Sequence, residues 1–137
     1  MVRNKNYSFK KYPITVTNSG GPGVILTDLL ESLGVKVPQI PLDVVSILKN
    51  KLSPASTYSN PIDIAAEASA SEYYEVLNTI LKLNLGPIIV IHNPPPQVSA
   101  LDVAKAVIEV WDSYDRSTPL ITYLSGFHVK ETKKYLV

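Results

Sequence analysis

The residues best suited to chemistry lie together near the start of the chain, in Thr17-Asn-Ser-Gly-Gly-Pro-Gly-Val24. Glycines let backbone amides approach a ligand closely, and the apolar periodicity that begins at Val24 makes this stretch the entrance to a helix. A helix N-terminus leaves N–H groups unpaired and carries about half a positive charge. Such a turn receives an anion, phosphate above all, with Asn18, Ser19, Gly20, Gly21, Gly23 and Val24 as the candidate ligands. A tight strand-to-helix turn without a ligand would use the same glycines, and the residue pattern leaves both readings open.

Several phosphate-loop motifs are excluded. No Gly-Lys-Ser/Thr ending follows the glycines, which removes a Walker A loop, and Leu26 stands where a dinucleotide fingerprint needs Gly or Ala. The stretch lacks the run of hydroxyls of a flavin-phosphate loop. Asn18-Ser19 and His92-Asn93 occupy the places where a phospho-acceptor receiver needs acids.

A second candidate is Asn60-Pro61-Ile-Asp63, whose Asn and Asp side chains bond loop amides, either in a local Asx turn or in support of the glycine stretch. Asp28, on the helix that follows the glycines, is a surface acid favoured by the helix dipole and needs no function. His92 and His128 are the two histidines; neither has a motif for a general base or a phosphohistidine around it. No cluster has metal-ligand spacing. Tyr73-Tyr74 reads as core packing rather than as a stacking platform for nucleic acid.

The elements that must hold these residues alternate between strand and helix. The β-branched run 14–17 is a strand entering the glycine stretch, and Val24, Ile25, Leu26, Leu29, Leu30 and Leu33 predict a helix closed by Gly34 at C′. Val35-Lys-Val37 is a short strand candidate. Pro41 opens a second helix with Leu42, Val45, Leu48 and Leu52 facing inward, followed by an irregular connection over 53–66. Ser69 and Glu72 have capping-box spacing ahead of a stripe of Tyr73, Val76, Leu77, Ile80 and Leu81. The run 87–91 is a central strand that stops at His92 and three prolines. Ser99 and Asp102 open a fourth helix with Leu101, Ala104, Val107, Ile108 and Trp111; 120–124 is the last strand; and 129–136 is a closing helix. This alternation predicts an α/β, three-layer, flavodoxin-like sandwich with a mostly parallel sheet of four to five strands. Ligands sit beyond the carboxyl ends of such strands, where 18–23, 92–96 and 125–128 converge.

With 137 residues and no cysteine, the chain is one domain, 13–137, behind a basic tail, 1–12, that carries Arg3, Lys5, Lys10 and Lys11. A net charge of +1, with 45% hydrophobic and 18% charged residues, gives no reason to expect nucleic acid as a partner, and no run is long and apolar enough to imply a membrane. Separate nucleotide and substrate domains do not fit in this length, and the lack of cysteine agrees with a reducing cytoplasm.

Two segments together, Thr17-Asn-Ser-Gly-Gly-Pro-Gly-Val24 with Thr27-Asp28, and Asn60-Pro-Ile-Asp63, resemble the last flavodoxin-like domain of ADP-forming acyl-CoA synthetases, the acetate–CoA ligases (ADP-forming) related to succinyl-CoA synthetase. The likeness continues through Tyr73, Leu77, Pro94 and Pro119 and covers about 13–126. It implies an enzyme that handles ATP, ADP, phosphate and CoA over several domains, with a phosphohistidine as shuttle. The equivalent domain presents its first helix to the phosphohistidine of a neighbour, so nothing but phosphate would touch this chain. Gly20, Gly21, Gly23 and Val24 would supply amides, while Asn60, Asp63 and Asp28 would shape the site. The chain departs from the family in having no Ser-His-x-Gly-Ala segment, no CoA-binding or ATP-grasp domain, Ala65-Ala66-Glu67 after Asn-Pro-x-Asp, and no fifth strand. The resemblance therefore implies a domain or small subunit inactive without partner domains. The alternative is a stand-alone, non-catalytic module that binds phosphate or a phosphoprotein. An unfinished sheet edge also favours association with another molecule, a second copy included.

Overall fold

The structure, a computed structural model, describes residues 12–93, 95 and 97–125. The basic tail 1–11, His128 and the helix expected over 129–136 lie outside the described residues. In chain order the elements are β1 (Ile14–Thr17), α1 (Gly20–Ser32), α2 (Leu42–Lys49), β2 (Ile62–Asp63), α3 (Ala70–Lys82), β3 (Ile88–His92), α4 (Ala100–Asp112) and β4 (Leu120–Leu124). The four strands are parallel in the order β2-β1-β3-β4. The chain moves one way from β1 to β2 and the other way afterwards, which is the doubly wound, flavodoxin-like α/β arrangement.

Register divides the sheet into two unequal faces. Val16 lies beside Ile62 and Val90, and Val90 beside Thr122, so even-numbered residues line one face. There Ile14, Val16, Ile62, Ile88 and Val90 join Val44 and Leu48 of α2, Tyr73, Val76, Leu77 and Ile80 of α3, and Val103, Val107 and Val110 of α4 in one buried cluster. The opposite face carries Thr15, Thr17, Ile89, Ile91, Ile121 and Tyr123 and is covered by α1 near β1.

α3 forms for reasons visible in its own residues. The Ser69 hydroxyl accepts from the Glu72 amide while the Glu72 carboxylate accepts from the Ser69 amide, so a capping box satisfies both ends of the first turn. Its stripe is buried throughout. α4 starts on Ser99, whose hydroxyl accepts from the Asp102 amide.

Five expectations change. The segment Val35-Lys-Val37 is not a strand. The strand beside β1 is instead Ile62–Asp63, inside what reads as an irregular connection, because Asn60 and Thr57 supply hydrogen bonds that two residues alone could not. In α2, Leu42 is exposed and the buried row is Ile40, Val44, Leu48 and Leu52, spaced by four; Pro41 is the N-cap rather than the first helical residue. His92 belongs to β3. Finally, α1 does not bury an apolar stripe: Val24, Ile25, Leu29 and Leu33 are exposed, and its one buried residue is Gly23.

Candidate functional site: the carboxyl edge of the sheet and the start of α1

The glycines are the first turn of α1 itself rather than a loop ahead of it, with Ser19 as an extended N-cap. The Thr17 hydroxyl accepts from the Ser19 amide and donates to the Ser19 carbonyl, each at 2.9 Å, and so fixes the chain as it leaves β1. The Ser19 side chain makes no capping hydrogen bond. The Gly23 amide is already directed to the Ser19 carbonyl at 3.4 Å, Val24 follows within the helix, and Pro22 has no N–H. The first residues of a helix have no intrahelical acceptor. Of the amides expected to face an anion, those of Gly20 and Gly21 therefore remain, and both residues are exposed.

The three glycines have different roles. A β-carbon on Gly23 would stand 3.0 Å from both Pro61 Cγ and Thr17 Cγ2, so the missing side chain is what lets α1 seat on the sheet. At Gly20 a β-carbon would lie 3.1 Å from Asp63 Oδ2, whereas at Gly21 it would meet nothing within 4 Å.

Asp63 ends β2 beside Thr17. Its Oδ1 accepts from the Ala65 amide at 3.0 Å, and its Oδ2 faces Gly20. Ala65 has φ +69°, a left-handed conformation that costs a residue with a β-carbon roughly 1–2 kcal/mol. Glycine would adopt it without that cost.

Asn18, expected as a phosphate ligand, and Asn60, expected to shape the site, both spend their side chains on backbone groups. Asn18 is buried; its Oδ1 accepts from the Asn93 amide at 2.8 Å, and its Nδ2 donates to the carbonyls of Asn93 and Ala66. It thus clamps the ends of β1, β2 and β3, with both its side-chain oxygen and its nitrogen engaged by backbone groups. Asn93 Oδ1 in turn accepts from the Ser125 hydroxyl at 2.7 Å. Asn60 acts at the other end of β1: its Oδ1 accepts from the Thr15 amide and its Nδ2 donates to the carbonyls of Pro13 and Pro38. It does not touch the glycines; Pro61, joined to it by a cis peptide bond, does. Asp28 and Val24 are exposed on α1 beyond its first turn.

Sequence reasoning missed a buried polar group beneath this edge. His92 is fully buried, with Nδ1 3.0 Å from the Tyr73 hydroxyl and the rings edge to face at 5.2 Å. Burial pushes His92 down to about 4, so the imidazole is neutral near pH 7. The Tyr73 hydroxyl also donates to the Ile91 carbonyl; burial pushes it well above the ordinary range, the Asp63 charge adds to that, and the backbone N–H of Asn18 opposes it. The available signal was parity: an even-numbered residue closing a strand faces the same helix as Val90. Among the described residues no group of three His, Cys, Asp or Glu is placed to hold a metal. Two surface depressions, one beside Tyr12 and Lys36 and one beside Tyr74 and Lys105, do not include the start of α1.

Comparison with known proteins places this geometry in a family. The family model described as Ligase-CoA domain matches residues 13–137. Acetate–CoA ligase [ADP-forming] I of Archaeoglobus fulgidus is 32% identical over 122 residues, which is 88% of this chain and 17% of that protein. The α subunit of acetate–CoA ligase [ADP-forming] II of Pyrococcus furiosus is 26% identical over 125 residues, 89% of this chain and 27% of the subunit. Among solved structures, dinucleotide-forming acetyl-coenzyme A synthetase 1 of Ca. Korarchaeum cryptofilum in complex with phosphate and ADP superposes with a TM-score of 0.83 at 26% identity, covering 91% of this chain and 27% of that one. The chain thus spans less than a third of the length of these relatives. It belongs to the Ligase-CoA domain family, whose members here are domains or subunits of ADP-forming acyl-CoA synthetases.

Proposed function

We propose that this domain presents the start of α1 to a phosphohistidine carried by another domain or subunit of an ADP-forming acyl-CoA synthetase, and that it is inactive without those partners. The observation that carries this reading is the pair of exposed, unpaired amides of Gly20 and Gly21 at the positive end of a 13-residue helix. Two preorganised donors and a helix dipole stabilise phosphoryl charge as it develops without themselves having to reorganise. A phosphoryl group fits these residues; ATP, ADP and CoA would be held by the partner domains. The Asp63 carboxylate beside Gly20 tempers the positive end, so free phosphate is held weakly, in the millimolar range. The acyl-CoA synthetase as a whole would work in the cytoplasm.

Titration of the ¹⁵N-labelled chain with inorganic phosphate tests the site. The largest shifts fall on the Gly20 and Gly21 amides, within a response confined to 18–25; no response at tens of millimolar removes the basis of the proposal. Mixing the chain with the missing subunits then restores acyl-CoA-dependent ATP formation. Anion binding without that rescue would identify a stand-alone anion-binding module instead.

A further inference from the structure

At their carboxyl ends the strand pairs of the sheet finish differently. In the pair β1–β2 the Ile64 amide donates to the Thr17 carbonyl at 2.8 Å, and in β3–β4 the Ser125 amide donates to the His92 carbonyl at 2.9 Å. Both ladders therefore run to the last paired residue on backbone groups alone. In β1–β3, Ile14 lies beside Ile88 and its amide donates to the Pro87 carbonyl. Rungs of a parallel pair are evenly spaced, so the same rule takes the Asn18 amide to the Ile91 carbonyl and the Asn93 amide to the Asn18 carbonyl. Side chains enter both places. The Tyr73 hydroxyl donates to the Ile91 carbonyl at 3.2 Å, and the backbone N–H of Asn18 bears on that hydroxyl. The Asn93 amide donates to the side-chain oxygen of Asn18 at 2.8 Å. The place is the switch between the two directions of winding, because β1 leads to α1 on one face and β3 leads to α4 on the other.

We infer that Tyr73 is a positioning residue for the start of α1: its buried hydroxyl is a spacer set into the β1–β3 ladder, and it fixes how far Asn18, and with it Ser19 and Gly20, stands from β3. The value of that distance for phosphoryl binding rests on the function proposed above. The hydroxyl is kept in place by its hydrogen count. It has one hydrogen, and the Ile91 carbonyl can only accept. His92 Nδ1, 3.0 Å away, must therefore carry a hydrogen of its own and donate it to the Tyr73 oxygen. With one hydrogen given and the lone pairs turned to His92 and Asn18, the phenol is fully used. His92 is thereby fixed as the Nδ1–H tautomer, and its Nε2 is left buried, without a partner among the described residues. The capping box on Ser69 and Glu72 fixes the first turn of α3, from which the Tyr73 ring reaches the ladder. Phenylalanine cannot act as the spacer. Without the hydroxyl the Ile91 carbonyl loses its donor, and the Asn18 amide is the ladder group that replaces it. Closing that rung draws Asn18 towards β3 and turns the Gly20 amide from its direction.

Heteronuclear NMR of the full chain tests the assignment. In the parent, the ring nitrogens of His92 report the Nδ1–H tautomer near neutral pH, and no coupling across a hydrogen bond joins the Asn18 nitrogen to the Ile91 carbonyl carbon. In Tyr73→Phe that coupling appears, and the affinity read from the phosphate response of Gly20 and Gly21 falls about fivefold. Ile80→Val takes a methyl group from the buried side of the same helix without touching the ladder, and it leaves both readouts at the parent's values. An Nε2–H tautomer in the parent, an Asn18–Ile91 coupling already present there, or a Tyr73→Phe protein that lacks the coupling or keeps the parent's phosphate affinity overturns the assignment. Should Tyr73→Phe not fold, the two measurements on the parent decide. A parent that ignores phosphate removes the function proposed above, while the tautomer and the coupling still decide the place of Tyr73 in the ladder.

Discussion

The Asp63 carboxylate stands so close to Gly20 that a β-carbon on the glycine would lie 3.1 Å from Oδ2. This contact joins the end of β2 to the start of α1 and makes Gly20 one of three glycines with separable roles.

Alanine substitutions resolve those roles. Gly21→Ala meets no neighbour within 4 Å and gains helix propensity, so it stabilises by up to about 1 kcal/mol. Gly20→Ala displaces the end of one side chain and is near neutral in stability, because the propensity gain offsets the contact. Gly23→Ala drives a methyl into Pro61 and Thr17 and costs about 1–3 kcal/mol. Urea unfolding measures all three; a Gly23→Ala protein as stable as the parent would contradict the seating of α1 described above.

The two asparagines should separate stability from anion binding. Asn60→Ala leaves the buried Thr15 amide without its acceptor and removes donors from the Pro13 and Pro38 carbonyls, costing about 2–4 kcal/mol. It leaves the phosphate response of Gly20 and Gly21 intact. Asn18→Ala costs a similar amount but releases the segments that flank α1, so it weakens that response as well. Phosphate titrations on both variants decide the point, and an equal loss in the two would refute the assignment of Asn60 to the scaffold.

His92 gives stability a defined pH dependence. Its folded value of about 4 lies below the ordinary 6.5, so between these values the unfolded chain binds the extra proton. The contribution is fully present above about 6.5 and is lost as pH falls through about 4, amounting to roughly 3 kcal/mol. His92→Gln flattens that slope in unfolding measured from pH 4 to 7. Tyr73→Phe keeps the ring but removes the hydroxyl shared by Ile91 and His92, costing about 1–3 kcal/mol. A slope unchanged by His92→Gln would show that another group titrates.

Elements were legible in the sequence where their cause is local. The Ser69 and Glu72 exchange and the Tyr73 to Leu81 stripe are both contained within α3, so spacing alone finds them. β2 was not legible, because two residues become a strand through the Asn60 side chain reaching Thr15 and through Thr57 bridging Asp63. In α1 the apolar residues lie on several sides; they announce a helix without saying which side is covered, and the structure covers little of it. The glycine stretch was recognisable in outline as the passage from the first strand to the first helix. Which amides stay unpaired depends on where the helix begins, and that is set by Ser19 and the Thr17 hydroxyl rather than by the glycines.

Seating α1 on a single glycine has a consequence for how the protein opens. α3 and α4 share the large buried cluster and can be released only by losing most of it, so their opening costs close to the whole stability of the fold. α1 buries little beyond Gly23 and can detach in a smaller, cheaper event. The two amides proposed to meet an anion therefore sit on an element more easily parted from the rest than α3 or α4. An anion held there raises the cost of that parting, so occupancy of the site is read directly in the slowing of amide exchange along α1.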